Sequence, residues 1–318
     1  YYWLFQAIVY KIYQWTNYYG LIVLRAILYF LTTLFIFLFL VRRYKNRTEL
    51  LFGLFLSIAC AFAILGREMA VRPHLFSYFF IVVFLYILEF RRDKIWLLPP
   101  LGIFWSNVHG IEYPVMFLMV FAYLAESYWR QFRRLPTGEM PGKRERWLLI
   151  FVFYTIFITP GMFKLLQTPF QAAAYQHLYV SELIPIPFQS FFVFAPVSVG
   201  GTIGLLLNLI VFLSAAFFLL SLWKRKLRLS HALLFIGAVL LLAKHGRFSV
   251  EFTLLSLPLL HHGLCLIAER FHCHVGRSIS LFPPWSLFCH CWFSTAQWAT
   301  GQPILFPNQI FPRGLPAS

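Results

Sequence analysis

Residues 21–47 read LIVLRAILYFLTTLFIFLFLVRRYKNR. Through Val41 the run carries a single charge, Arg25, and then four cations follow: Arg42, Arg43, Lys45 and Arg47. A helix needs roughly 20 mostly apolar residues to cross the hydrocarbon core of a bilayer. Residues 21–41 therefore predict a spanning helix, and 42–47 its cytoplasmic exit, because Lys and Arg accumulate on that side. The same figure repeats along the chain. Apolar runs lie near 50–65, 75–89, 96–107, 114–127, 147–159, 202–222, 231–243 and 250–267. Every second connection is basic: Arg91, Arg92 and Lys94; Arg130, Arg133, Arg134, Lys143, Arg144 and Arg146; Lys224, Arg225, Lys226 and Arg228. With Arg270 and Arg277 after the last run, one side holds 19 of the 27 Lys and Arg.

The expected fold is thus an all-α, polytopic transmembrane helix bundle of about nine spans. Composition agrees: 60% hydrophobic residues, 12% charged residues and a mean hydropathy of +0.72 exclude a soluble globular domain. The net charge of +16 flanks the spans instead of covering one soluble face, so it reads as orientation and not as nucleic-acid binding. In 96–107, Pro99 and Pro100 open the run and Asn107 closes it, which predicts a broken or re-entrant helix buried among neighbours. Residues 1–20 read as the tail of an extracytoplasmic loop lying at the interface, 21–267 as the helical domain, and 268–318 as a poorly ordered tail.

The extracytoplasmic side then comprises 1–20, the turns 66–74, 107–113 and 244–249, and a long connection at 160–201. Gly66 to His74 holds Arg67, Glu68, Arg72 and His74; Trp105 to Tyr113 holds Asn107, His109 and Glu112; Ala243 to Phe248 adds Lys244, His245 and Arg247, with Glu251 at the i,i+4 spacing that lets it pair with Arg247. Glu182 stands in the long connection. Ionisable groups at membrane depth are costly and so mark functional sites by default. Against that, Lys11, Arg25 and Lys164 are read as snorkelling side chains, and Arg67 with Glu68 equally as a surface ion pair. Converging cations with imidazole and amide donors suit a phosphate or pyrophosphate group, which Arg grips in bidentate fashion, and a lipid-linked phosphate is the natural ligand.

These motifs, in order, resemble bacterial integral-membrane proteins related to the GT-C class of glycosyltransferases: Val71-Arg72-Pro73-His74-Leu75-Phe76-Ser77, then Leu98-Pro99-Pro100 leading into Trp105-Ser106-Asn107-Val108-His109-Gly110, then Thr159-Pro160-Gly161 with Thr168-Pro169-Phe170, Ser181-Glu182-Leu183, and His245-Gly246-Arg247-Phe248. The resemblance covers roughly 3–267. It implies transfer of a sugar from a polyprenyl-phosphate donor at the extracytoplasmic face of the bacterial cytoplasmic membrane, with a carboxylate in the first outer loop as base or metal partner. The chain departs from that pattern. Its only Asp, Asp93, falls on the cytoplasmic side, and no acidic residue occurs between Tyr1 and Tyr44. A preceding span and loop carboxylate are therefore expected upstream of Tyr1.

Among the residues present, Glu68, Glu112 and Glu182 are the candidate catalytic carboxylates. Arg67, Arg72, His74, Asn107, His109, Lys244, His245 and Arg247 are the candidate phosphate-binding groups, of which Arg72, Lys244 and Arg247 would stabilise the leaving phosphate. No metal ligands are assigned, and a divalent cation is left open as a cofactor. The partners expected are a lipid-linked sugar donor and membrane lipids. Cys60, Cys265, Cys273, Cys289 and Cys291, with His272, His274 and His290, match no zinc spacing. No phosphate-cradling GxxxxGK[ST] or GxGxxG element occurs. The alternatives are a carrier or flippase for a lipid-linked or anionic solute, which requires polar residues through the span interiors, and a non-catalytic membrane scaffold.

Overall fold

The computed structural model describes residues 2–42, 47–68, 71–134, 141–167, 198–199 and 202–275. Among them helix is the rule: α1 Trp3–Val41, α2 Arg47–Glu68, α3 His74–Phe90, α4 Leu98–His109, α5 Tyr113–Phe132, α6 Lys143–Tyr154, α7 Met162–Gln167, α8 Gly204–Trp223, α9 Leu229–Lys244, α10 Ser249–Leu255 and α11 Leu257–Val275. The exception is a minimal antiparallel pair, β1 Ser198–Val199 with β2 Thr202–Ile203. By its internal contacts the chain divides into two units, Tyr1–Glu269 and Arg270–Ser318. The expectation for the tail concerns residues that lie, beyond Val275, outside the described ones, as does most of the connection 160–201.

The fold class is borne out at the coarse level. By length and composition, Trp3–Val41, Arg92–Phe132 and Gly204–Trp223 suffice to cross a membrane, and the bent pair Gly246–Leu255 and Leu257–Ala268, 47° apart, makes a fourth. Shorter apolar helices fill in between, at Glu49–Leu65, His74–Phe90 and Leu229–Lys244. Their outward faces stay apolar. Phe52, Phe55, Ile58 and Phe62 on α2, Trp147, Phe151 and Tyr154 on α6, and Ile236, Val239 and Leu240 on α9 are all exposed at helical spacing, an apolar surface that suits lipid and not water.

The post of the bundle is α3. It is apolar all round and buried on nearly every side, as a helix surrounded by others must be, and α1, α4, α5 and α10 pack on it. Its 17 residues span about 25 Å, so contacts at its two ends report the direction of every neighbour. Trp105 and His109, late in α4, touch Ser77 at the start of α3, whereas Tyr123, late in α5, bonds Glu89 at its end. The chain therefore reverses between α4 and α5, where His109 leaves helical geometry at φ −143°, ψ 62°. The run Arg92–Phe132 is two antiparallel helices and not one rod.

One sequence reading needs correction. Pro99 and Pro100 do not break 96–107: they occupy the first turn of α4, where proline's missing N–H and fixed φ cost nothing, and the helix continues through Asn107. The bend falls elsewhere, in α1, where Asn17 adopts φ 53°, ψ −147°. A Cβ on Gly20 would lie 1.7 Å from Thr16 Oγ1, so only glycine fits the inside of that bend. Residues 3–16 thus form a separate helical arm, with Leu4, Phe5 and Ile8 packed on the core.

Candidate functional site

The arm of α1, the start of α3, the α4–α5 reversal and the turn before α10 meet at one end of the bundle. His74 is buried at the head of α3 with its ring 5.1 Å from Tyr78, and Ser77 follows three residues on, the spacing that shares a helix face. Trp105 and His109 likewise share a face of α4. The indole Nε1–H of Trp105 donates to Ser77 Oγ at 2.8 Å, and Ser77 Oγ lies 2.6 Å from His109 Nδ1. All three side chains are buried.

After His109 the chain turns through Gly110–Glu112. A Cβ on Gly110 would stand 2.6 Å from Leu165 Cδ2 of α7, which keeps this turn tight against its neighbour. Glu112 is buried and faces Arg247, Nη2 to Oε1 3.7 Å. Arg247 sits on the one-turn element Gly246–Phe248, its guanidinium 5.0 Å over the Phe248 ring and its side chain 31% exposed. The pair is in Coulomb contact yet too long for a hydrogen bond. Tyr2 completes the site. Its ring centroid is 5.4 Å from that of His109, and burial pushes its phenol pKa up, with Arg247 pulling down and Glu112 adding to the rise.

Of the predicted residues, His74, Asn107, His109, Glu112 and Arg247 belong to this end. Asn107 is committed to the protein: its Oδ1 accepts Trp3 Nε1–H at 2.8 Å, and its amide donates to Ile103 O and Ile158 O at 2.8 and 3.0 Å. It ties the arm and α4 to the turn that follows α6. Arg72 is exposed just ahead of α3, and Lys244 is exposed at the end of α9. His245 is half-buried with its ring 6.1 Å from Phe248. The expected Arg247–Glu251 pair is replaced by Arg247–Glu112, because Arg247 stands on the turn and Glu251 is buried inside α10. The side chains of Arg67 and Glu68, and all of Glu182, lie outside the described residues. No group of three or more His, Cys, Asp or Glu suited to a metal occurs among the described residues.

The opposite end carries a second polar cluster. Arg228, at the head of α9, donates to Glu89 on α3 and to Glu126 on α5. Glu126 also takes Arg130 at 3.1 Å and the hydroxyl of Ser230, while Glu89 takes Tyr123 O–H at 2.8 Å and lies 3.5 Å from His231 Nε2. Burial works against the charge on Arg228, but Glu89 and then Glu126 outweigh it and hold its pKa above the ordinary guanidinium value. Arg42, with its guanidinium donating to Tyr86 and 5.0 Å over Phe90, and His261, bonded to Arg42 O, stand at the same end. The basic connections thus share one end of the bundle and the candidate site the other.

Ser77, Trp105, Tyr2 and Trp3 were not singled out from sequence. The signal for two of them was present: Ser77 is one turn from His74 and Trp105 one turn from His109, each inside a motif already noted. Comparison with protein families, with curated proteins and with solved structures gives no match to this chain.

Proposed function

We propose that the chain is a GT-C-like integral-membrane glycosyltransferase of the bacterial cytoplasmic membrane, threaded through nine spans, that takes a sugar from a polyprenyl-phosphate donor at the extracytoplasmic face. The observation that carries this reading is the meeting of His109, Glu112 and Arg247, from two connections far apart in sequence, at the end of the bundle remote from the Lys- and Arg-rich connections. Under the positive-inside rule the basic end faces the cytoplasm, so the site faces outward.

In this reading the acceptor hydroxyl oxygen attacks the anomeric carbon, the bond from that carbon to the phosphate oxygen breaks, and the phosphate leaves with the electron pair. Glu112 accepts the hydroxyl proton. Arg247, partly exposed, stabilises the charge that develops on the phosphate, and Arg72, exposed just ahead of α3, adds a second cation. In membranes from cells expressing the full chain, Arg247→Ala and Arg72→Ala are expected to abolish transfer from a lipid-linked donor and to leave insertion intact. Undiminished transfer by both variants would remove the phosphate role.

A carrier for a lipid-linked or anionic solute is the second reading. It draws on the buried hydroxyl and amide groups along α8 and along α10 and α11, namely Asn208, Ser214, Ser221, Thr253 and Ser256. It requires movement of the lipid-linked solute across proteoliposomes without turnover, which the transfer reading does not.

A further inference from the structure

The hydrogen bonds around Ser77 fix the proton on His109. An indole nitrogen only donates, so Trp105 Nε1–H fills an acceptor position on Ser77 Oγ and cannot take the hydroxyl hydrogen. Ser77 is fully buried, and its hydroxyl hydrogen therefore needs a protein acceptor. Trp105 and His109 are the partners of its side chain among the described residues, which leaves His109 Nδ1 as that acceptor. An imidazole whose Nδ1 accepts is neutral and carries its proton on Nε2. The ring is pinned on that tautomer by a buried chain of two bonds running from α4 to α3 and back, and the Tyr2 ring lies tilted against it, centroids 5.4 Å apart.

The other edge of the ring carries Nε2, for which no hydrogen-bond partner is shown among the described residues. His109 lies within electrostatic reach of Arg247 and His74, and Tyr2 within reach of both Arg247 and Glu112. We propose that His109 is a fixed neutral hydrogen-bond donor whose Nε2–H, with the Arg247 guanidinium, grips the phosphate group of the ligand, and that Trp105 and Ser77 are the positioning residues that hold it in this state. The assignment rests on the phosphate reading of the site above and sharpens it. It removes His109 from the candidates for proton acceptor, since the nitrogen able to accept is already occupied, and leaves that task to Glu112.

The test has two arms on the full chain in lipid nanodiscs. In the first, ring-15N-labelled histidine is read by NMR, with His109 assigned from the signals lost in His109→Gln. The expected spectrum has a bare Nδ1 and a protonated Nε2, and Ser77→Ala or Trp105→Phe shifts the ring toward a tautomer mixture. A protonated Nδ1 in the unaltered chain overturns the proposal whatever the ligand is. In the second arm, binding of polyprenyl monophosphate and, separately, of inorganic phosphate is titrated. Gln is long enough to set an amide N–H where Nε2–H stands, whereas Asn reaches only the Nδ1 position. His109→Gln should bind within a few-fold of the unaltered chain, and His109→Asn should lose about 10- to 100-fold, the range of one hydrogen bond to a charged group. The loss should appear for whichever phosphate species binds. If Arg247→Ala loses binding while His109→Asn does not, the donor role fails and the phosphate site stands. If neither variant weakens either ligand, the phosphate reading fails with it.

Discussion

The cluster at the basic end makes a quantitative prediction about stability. Arg228 is 12% exposed and stands between Glu89, at 10%, and Glu126, at 2%. Removing it as Arg228→Met leaves two buried carboxylates in place. Glu126 retains Arg130 and Ser230, but Glu89 keeps only Tyr123 and His231 among the partners shown here. Breaking one side of a buried ion pair costs about 3–5 kcal/mol, because a charge is stranded away from water, and that is a large share of the roughly 5–15 kcal/mol that holds a typical native state together. The loss would be read by equilibrium unfolding in detergent micelles, and it should change little with added salt, since a buried pair is poorly screened. The matched control is the triple variant Arg228→Met, Glu89→Gln, Glu126→Gln. With both carboxylates neutralised, it should recover all but about 1–2 kcal/mol of the deficit, as buried ion clusters replaced by uncharged groups generally do. A loss under about 1 kcal/mol for Arg228→Met, the level of an exposed pair, would refute the burial. A triple variant no more stable than the single one would refute the stranded charge as the cause.

Two further predictions test the ends of the bundle separately. Trp3→Phe removes the N–H that Asn107 Oδ1 accepts and should destabilise by about 1–3 kcal/mol, the cost of a buried acceptor left unmade, in the same unfolding measurement; an unchanged midpoint would detach the α1 arm from the site. In a cysteine-free background, a cysteine at Asp93 and one at Lys244, both exposed, should react with a membrane-impermeant maleimide from opposite sides, the second from outside intact spheroplasts, and labelling of both from one side would overturn the alternating thread.

Much of the architecture was readable because apolar helices are decided by a local property. Twenty apolar residues between polar ends leave the backbone one way to satisfy its N–H and C=O groups in lipid, so the runs at 75–89, 114–127 and 202–222 were found with nearly the bounds of α3, α5 and α8. Local signals erred where the same residue has two uses. Pro99 and Pro100 break a helix in its interior and start one at its first turn, and only the position of the α4 N-terminus distinguishes these. The kink in α1 gave a faint signal, Asn17 followed by Gly20, inside a stretch of aromatics that fits an interfacial helix whether bent or straight.

The polar clusters divide along the same line. His109, Glu112 and Arg247 could be grouped in advance because topology alone puts their turns on one side, without any knowledge of which helices touch. Glu89, Glu126, Arg228 and His231 could not. Each sits near the end of an apolar run beside a basic connection, where a lone charge reads as an interfacial anchor, and their burial depends on α3, α5 and α9 packing side by side. That packing is tertiary information. Glu89 and Glu126 fall at the ends of the apolar runs 75–89 and 114–127, and the sequence alone does not say that they meet. Their carboxylates are engaged by Arg228 at the end remote from the site, where they act as a clasp between three helices. A solute path would need those bonds to open and close during turnover, so covalently locking α3 to α9 at the clasp should stop a carrier and leave a one-sided transferase working.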